Sequence, residues 1–196
     1  MATFDDNYSK KSDAELVRLS LKDQDNFLYL INRYEQKLLR YIRRISNTSL
    51  EDAEDLLQEV FIKVYLKLND FDQDLKFSSW IYRITHNQVI SNYRKLKARP
   101  QSILLDAEDD FIESIVADLD IEREVDLSYL RKNIFKILSK LETKYRDVLV
   151  LKFLEEKNYR EVSDILKKPI GTVGTLINKG KKKFKQELEQ QNLKLK

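Results

Sequence analysis

The stretch YREVSDILKKPIGTVGTLINKGKKKF, Tyr159–Phe184, holds all three glycines of the chain, Gly171, Gly174 and Gly180. Apolar residues Val162, Ile165 and Leu166 recur at helical spacing, Lys167-Lys168-Pro169 interrupts them, and Ile170, Val173, Ile177 and Phe184 restart the pattern. The spacing predicts two short helices joined by a tight turn. Proline suits the start of the second helix, where its missing N–H removes no intrahelical bond. The second helix runs into a dense cluster of lysines. A helix-turn-helix lays its second helix in the DNA major groove and needs phosphate contacts to hold it there. The competing reading is an ordinary helical hairpin with a solvated lysine face.

Outward from this stretch the pattern stays helical. Ser12 and Glu15 form a capping-box signature for a first helix carrying Leu16, Leu19 and Leu21. A second helix follows Asp23 or Asp25, with Phe27, Leu30, Ile31, Tyr34, Leu38, Tyr41 and Ile45 on one side, and Ser46–Ser49 breaks it. A third runs from near Leu50 to about Leu68, its stripe formed by Leu57, Val60, Phe61, Val64 and Leu68. Asn69–Ser79 reads as a loop, and a fourth helix runs from about Ser79 to Lys97, ahead of Pro100. Residues 101–126 hold ten acidic side chains against Arg123 alone and read as an acidic linker, extended or partly helical. Three or four shorter helices then fill 127–190. The expectation is an all-α fold of two small helical domains, 10–100 and 127–190, joined by the linker.

Composition narrows the function classes. Of the 196 residues 42% are hydrophobic and 35% charged, which suits packed helices with solvated faces. No cysteine is present, so disulfides, thiolate catalysis and cysteine metal sites are excluded, and one histidine cannot build a histidine-rich metal centre. The first twenty residues carry acids and no apolar segment, unlike a signal peptide. No stretch approaches the roughly 20 apolar residues of a membrane span. These features predict a soluble, cytoplasmic protein. The charge is uneven: residues 167–196 hold nine lysines against Glu187 and Glu189, and residues 81–100 hold five basic residues and no acid. A polyanion is the natural partner of such blocks.

On a helical wheel the fourth helix gathers Trp80, Arg83, Asn87, Arg94 and Lys97 on one face. Cations for phosphate, an amide for a base edge and an aromatic for stacking are what single-stranded nucleic acid requires. Trp80 as a core residue is the alternative. Phe71 and Phe77, in the preceding loop, either grip an unstacked base or anchor the loop to the core. His86 lies off the basic face and reads as structural or surface. Glu51, Asp55 and Glu59 share a face of the third helix, but a helical-bundle metal site also wants Glu-x-x-His partners, and none exists here. A protein-docking face fits these acids better than a metal-dependent hydrolase.

At these residues the chain closely resembles the alternative sigma factors of the extracytoplasmic-function type. Asp52–Phe61 is similar to the family's segment for docking core RNA polymerase, Phe77–Asn87 to its promoter-melting and −10 reading segment, and Tyr159–Val173 to the start of its −35 reading helix-turn-helix. The resemblance implies a function without bond-making chemistry, cofactor or metal. Asp55, Gln58 and Glu59 would face the coiled coil of the polymerase β′ subunit. Phe71 and its loop would pocket a flipped base of promoter DNA, Asn87 would read the next position, Trp80 would share their face, and Arg83 and Arg94 would hold phosphates. The second domain would sit on the β flap and lay residues 171–183 in the −35 major groove, and the acidic linker would thread the RNA-exit side of the enzyme. Family members are often held inactive by an anti-sigma factor, which is implied as a further partner.

Three departures from the family pattern matter. Ser91 stands where an aspartate is frequent, and Gly174 and Leu176 stand where arginines are usual. Arginine paired to guanine is the commonest specific major-groove contact. The exposed set becomes Thr172, Gly174, Thr175, Asn178, Lys179 and Lys182, suited to phosphates, thymine methyls and an Asn–adenine pair. The expectation is −35 recognition that is weakly sequence-specific or driven by DNA shape. The alternative to the family reading is a helix-turn-helix transcription regulator with a helical N-terminal sensing domain.

Overall fold

A computed structural model describes residues 8, 10–46, 48–95 and 127–192. The linker, the Arg94 side chain and Lys97 lie outside the described residues. All regular elements among them are helical, and they form two compact units, one built on the first four helices and the other on the last four.

In the first unit, α1 spans Asp13–Lys22 and begins with the expected capping box: Glu15 N–H donates to Ser12 Oγ at 3.3 Å, and Ser12 N–H donates to Glu15 Oε2 at 2.8 Å. Those bonds to Ser12 hold the Glu15 carboxyl below its usual pKa. A short 3-10 turn at Gln24–Asn26 leads into α2, Phe27–Ser46, which buries Phe27, Leu30, Tyr34, Leu38, Tyr41 and Ile45 as its apolar stripe predicts. Ile31 is only half-buried, at the edge of the stripe. Asp13 clamps the two helices, accepting from Arg33 at 2.9 Å and from the Tyr34 hydroxyl at 2.5 Å. Burial, then the Asp13 carboxylate, drives the Tyr34 hydroxyl far above its ordinary pKa, so it stays a donor.

Ser49 caps the next helix by accepting from Asp52 N–H at 3.0 Å, which explains the break at 46–49. α3 spans Leu50–Leu66 and buries Ala53, Leu56, Leu57, Val60, Phe61 and Val64. It ends two residues earlier than expected, because Leu68–Asp70 closes into a 3-10 turn. α4, Phe77–Lys95, packs against α3.

In the second unit, α5 spans Leu127–Lys140 and α6 spans Thr143–Leu149, continued by a π-helical turn at Val150–Leu154. The Glu155 N–H closes that turn on Val150 O at 3.0 Å. Such a turn inserts an extra residue into the helical ladder. Glu156 follows with φ 53°, and Asn158 then starts α7, Tyr159–Leu166, through a second capping box with Glu161. α8 runs from Ile170 to Asn192, far longer than the short helix expected. The core is made by Ile134, Ile137, Leu138, Tyr145, Val148, Leu149, Leu151, Val162, Ile165, Val173, Ile177, Phe184 and Leu188.

Candidate nucleic-acid and polymerase interfaces

The turn between α7 and α8 is made by a lysine. Lys167 adopts the left-handed conformation (φ 52°, ψ 48°), and the N–H groups of Lys167 and Lys168 both close on Ser163 O. No glycine has a positive φ. Pro169 precedes α8 and its carbonyl accepts from Val173 N–H at 3.0 Å, so the proline stands at the helix start as its chemistry demands.

On α8, Val173, Ile177, Gly180 and Phe184 face the core, while Thr172, Thr175, Asn178, Lys179 and Lys182 are exposed. The Thr175 hydroxyl donates to Gly171 O at 3.0 Å, leaving its methyl and oxygen lone pairs to the outside. Between the start of α6 and the first turns of α8 lies an open groove of about 380 Å³, with Lys144 on one wall and Thr172, Thr175 and Lys179 on the other. Glu142 joins the walls, pairing with Lys144 at 2.7 Å and with Lys183 at 3.8 Å. These cations, the hydrogen bond to Lys144 first, hold its carboxyl below the usual range.

The two inner glycines differ. A Cβ at Gly180 would lie 3.2 Å from Leu149 Cγ and 3.4 Å from both its methyls, so α8 approaches α6 closely there and any side chain would push Leu149 aside by a few tenths of an ångström. A Cβ at Gly174 would meet only Tyr159 Cε2, at an ordinary 3.8 Å. Gly174 is therefore not demanded by packing. It contributes no side chain to the exposed face, and the half-exposed Tyr159 ring stands beside it. The apolar spacing that located α7 passes over Tyr159, which is why a reading by stripe missed it. Asp147, at the centre of the same unit, is 5% exposed, and burial pushes its carboxyl up to about 7 against the pull of Arg146 and Lys168.

In the first unit the structure grades the face predicted for α4. Asn87 is exposed and Arg83 half-buried, but Trp80 is buried. Phe71, which the spacing left open between gripping a base and anchoring the loop and which the resemblance offered to a flipped base, is buried as well. The reason is mutual packing: the Phe71 ring lies 5.4 Å from Phe77 and 5.1 Å from Trp80, and Phe77 lies 5.6 Å from Trp80. Three rings in one cluster remove more apolar surface than any could separately, so the anchoring alternative holds in this structure. The exposed part of the loop is Asp72–Lys76. His86 is structural, buried and hydrogen-bonded through Nδ1 to the Tyr41 hydroxyl at 3.0 Å.

Asp55, Gln58 and Glu59 lie together on the exposed side of α3. Ile62 and Leu66 extend that side with apolar surface, 60% and 70% exposed. Both fall outside the buried stripe, and an isoleucine and a leucine left off-stripe were the signal that went unread. Among the described residues no group of three histidine or carboxylate side chains stands close enough to hold a metal ion.

Comparison with known proteins assigns these units. The model of Sigma-70 region 2 matches residues 30–99, and that of Sigma-70 region 4 matches residues 131–184. The ECF RNA polymerase sigma factor SigW of Bacillus subtilis is 36% identical over 173 residues, covering 85% of this chain and 90% of that protein. This chain belongs to the extracytoplasmic-function sigma factors. The ECF RNA polymerase sigma-E factor of Escherichia coli K12 is 32% identical over 164 residues, covering 82% of this chain and 85% of that protein. In fold, the sigma factor is similar to CnrH in its complex with the cytosolic domain of CnrY, with TM-score 0.68 at 23% identity, covering 91% of this chain and 98% of that one. It is an alternative sigma factor, which binds core RNA polymerase, directs it to promoters and promotes initiation. Region 2 sets aside the helix-turn-helix regulator, whose sensing domain would have no reason to match it. No described helix is long and apolar enough to cross a membrane.

Proposed function

We propose that the sigma factor docks on the polymerase β′ coiled coil through α3, using Asp55, Gln58 and Glu59 together with Ile62 and Leu66. Exposed apolar side chains beside carboxylates are what a protein interface desolvates at its centre and pairs at its rim. The first unit then reads and opens the −10 element: Asn87 takes a base edge, while Arg83 and Arg94 hold phosphates. Phe71 and Trp80 act from beneath, their buried cluster fixing the loop 72–76 as the wall against which an extruded base rests. The second unit meets the β flap and lays Thr172, Thr175, Asn178, Lys179 and Lys182 in the −35 major groove. With no side chain at Gly174, −35 reading leans on phosphates and thymine methyls and is weakly specific. The domains are 10–100 and 127–190, with the acidic residues 101–126 threading the exit side of the enzyme. No bond is made or broken by the sigma factor itself, and its work on polymerase and promoter assigns it to the cytoplasm. An anti-sigma factor would compete for the same surfaces.

The observation that carries this reading is the division of α8, whose apolar side is buried while its threonines, Asn178 and lysines stand outside. Run-off transcription with core polymerase and mapped start sites tests it. Promoter DNA should be bound well only when core is present. Asp55→Ala should weaken core binding, and Arg83→Ala or Asn87→Ala should impair opening or −10 choice. Tight, symmetric binding to duplex by the protein alone would overturn the reading.

A further inference from the structure

Gln88, the single glutamine of α4, is buried, 7% exposed, and it directly follows the exposed Asn87. Its amide bridges two side chains one turn apart on α3: Nε2 donates to Glu59 Oε2, and Oε1 accepts from Lys63 Nζ. Only one orientation of the amide satisfies both, since a carboxylate only accepts and an ammonium only donates. Charge-assisted bonds of this kind are the stronger class, and their geometry fixes rotation as well as distance. Glu59 thus takes part in two things at once. It stands on the outer side of α3, and it grips α4 one residue from Asn87.

We infer that Gln88 is a positioning residue that ties the polymerase-docking side of α3 to the base-reading side of α4. The inference rests on the roles proposed above for Glu59 and Asn87. When polymerase engages Glu59, the carboxylate cannot move without moving Gln88, and the adjoining backbone carries Asn87. Docking on α3 thereby sets the rotation of α4 about its axis. An apolar residue at position 88 would pack against α3 equally well but would leave that rotation to non-directional contacts.

The test uses the full-length protein with core polymerase at saturating concentration. Initiation is measured on a promoter and on variants carrying each single substitution across the −10 element. Gln88→Leu should keep core affinity within about twofold, yet lower discrimination among −10 bases about five- to tenfold, which falls inside the range of coupling between residues in direct contact. The reversed pair Glu59→Gln with Gln88→Glu rebuilds the bond with donor and acceptor exchanged, and Lys63, which donates to the amide oxygen of Gln88 in the parent, then meets a carboxylate oxygen at the same position. It should recover most of the discrimination lost in Gln88→Leu. Unchanged discrimination in Gln88→Leu, or no recovery in the reversed pair, would overturn the inference. Asn87→Ala separates the two levels: if it too leaves discrimination unchanged, the base-reading role of α4 is wrong, whereas loss in Asn87→Ala alone refutes only the role of Gln88.

Discussion

Two alanine substitutions on one helix should have opposite effects. Replacing glycine by alanine inside a helix gains about 1 kcal/mol from backbone entropy. At Gly174 nothing opposes that gain, because the new Cβ stands 3.8 Å from Tyr159 Cε2. Gly174→Ala should therefore stabilise the second unit by about 1 kcal/mol. At Gly180 the new Cβ meets the branch carbon of Leu149 at 3.2 Å and both its methyls at 3.4 Å. The nearest contact is to the leucine's branch carbon rather than to a free end, and Leu149 is only 2% exposed, which leaves it little room to give. Overpacking of this kind costs about 1–3 kcal/mol. The helix gain is cancelled or exceeded, and the two variants should differ by about 1–3 kcal/mol. Amide hydrogen exchange at Val173 and Ile177 in the full-length protein reads this directly, since 1 kcal/mol is about a fivefold change in protection. Combining Gly180→Ala with Leu149→Ala should restore the helix gain relative to Leu149→Ala alone. If Gly180→Ala stabilises as much as Gly174→Ala, the packing explanation for Gly180 is wrong.

Other consequences concern charge and turn geometry. The Asp147 carboxyl, raised by burial from 3.8 to about 7, favours the folded unit while protonated. That contribution is complete below about pH 4 and lost as pH rises to about 7, by at most about 4 kcal/mol. Asp147→Asn should flatten the loss, so denaturant unfolding should find the variant more stable than the parent at pH 8 and little changed at pH 4; a parent whose second unit gains stability from pH 4 to 7 refutes this. Lys167 holds a left-handed backbone at the end of α7. Lys167→Gly should stabilise the unit by about 1 kcal/mol in the same exchange experiment, as glycine adopts that conformation without a Cβ penalty. Ile62→Asp should weaken core binding at least tenfold while thermal unfolding of the protein stays within a few degrees, because Ile62 is 60% exposed. Lys182→Ala should weaken holoenzyme binding across different −35 sequences alike and lower the salt slope by about 1, the mark of a phosphate contact.

Much of the fold was legible because its signals are local. The capping box at Ser12, the break at 46–49 and the apolar stripes of α2 and α3 each lie within a few neighbouring residues, where hydrogen-bond geometry and helical periodicity act. The π-turn at Val150–Leu154 and the left-handed Lys167 were not legible, since neither residue type announces such a backbone. Phe71 and Trp80 illustrate the limit for sites. An aromatic on a loop or a helix face looks the same in sequence whether it is offered to a base or folded onto two other rings, and only the packing partner separates the outcomes.

The sequence by itself determined the all-α class, the family, the polar and apolar sides of α3 and α8, and the placement of the turn before Pro169. Tertiary structure decided which exposed groups work together. Gly180 is tightly packed because α6 passes close by, Gly174 is not, and Gln88 belongs to Glu59 and Lys63 rather than to solvent. These follow from contacts between residues 15 to 31 positions apart, whose free energy depends on distances that no local pattern encodes.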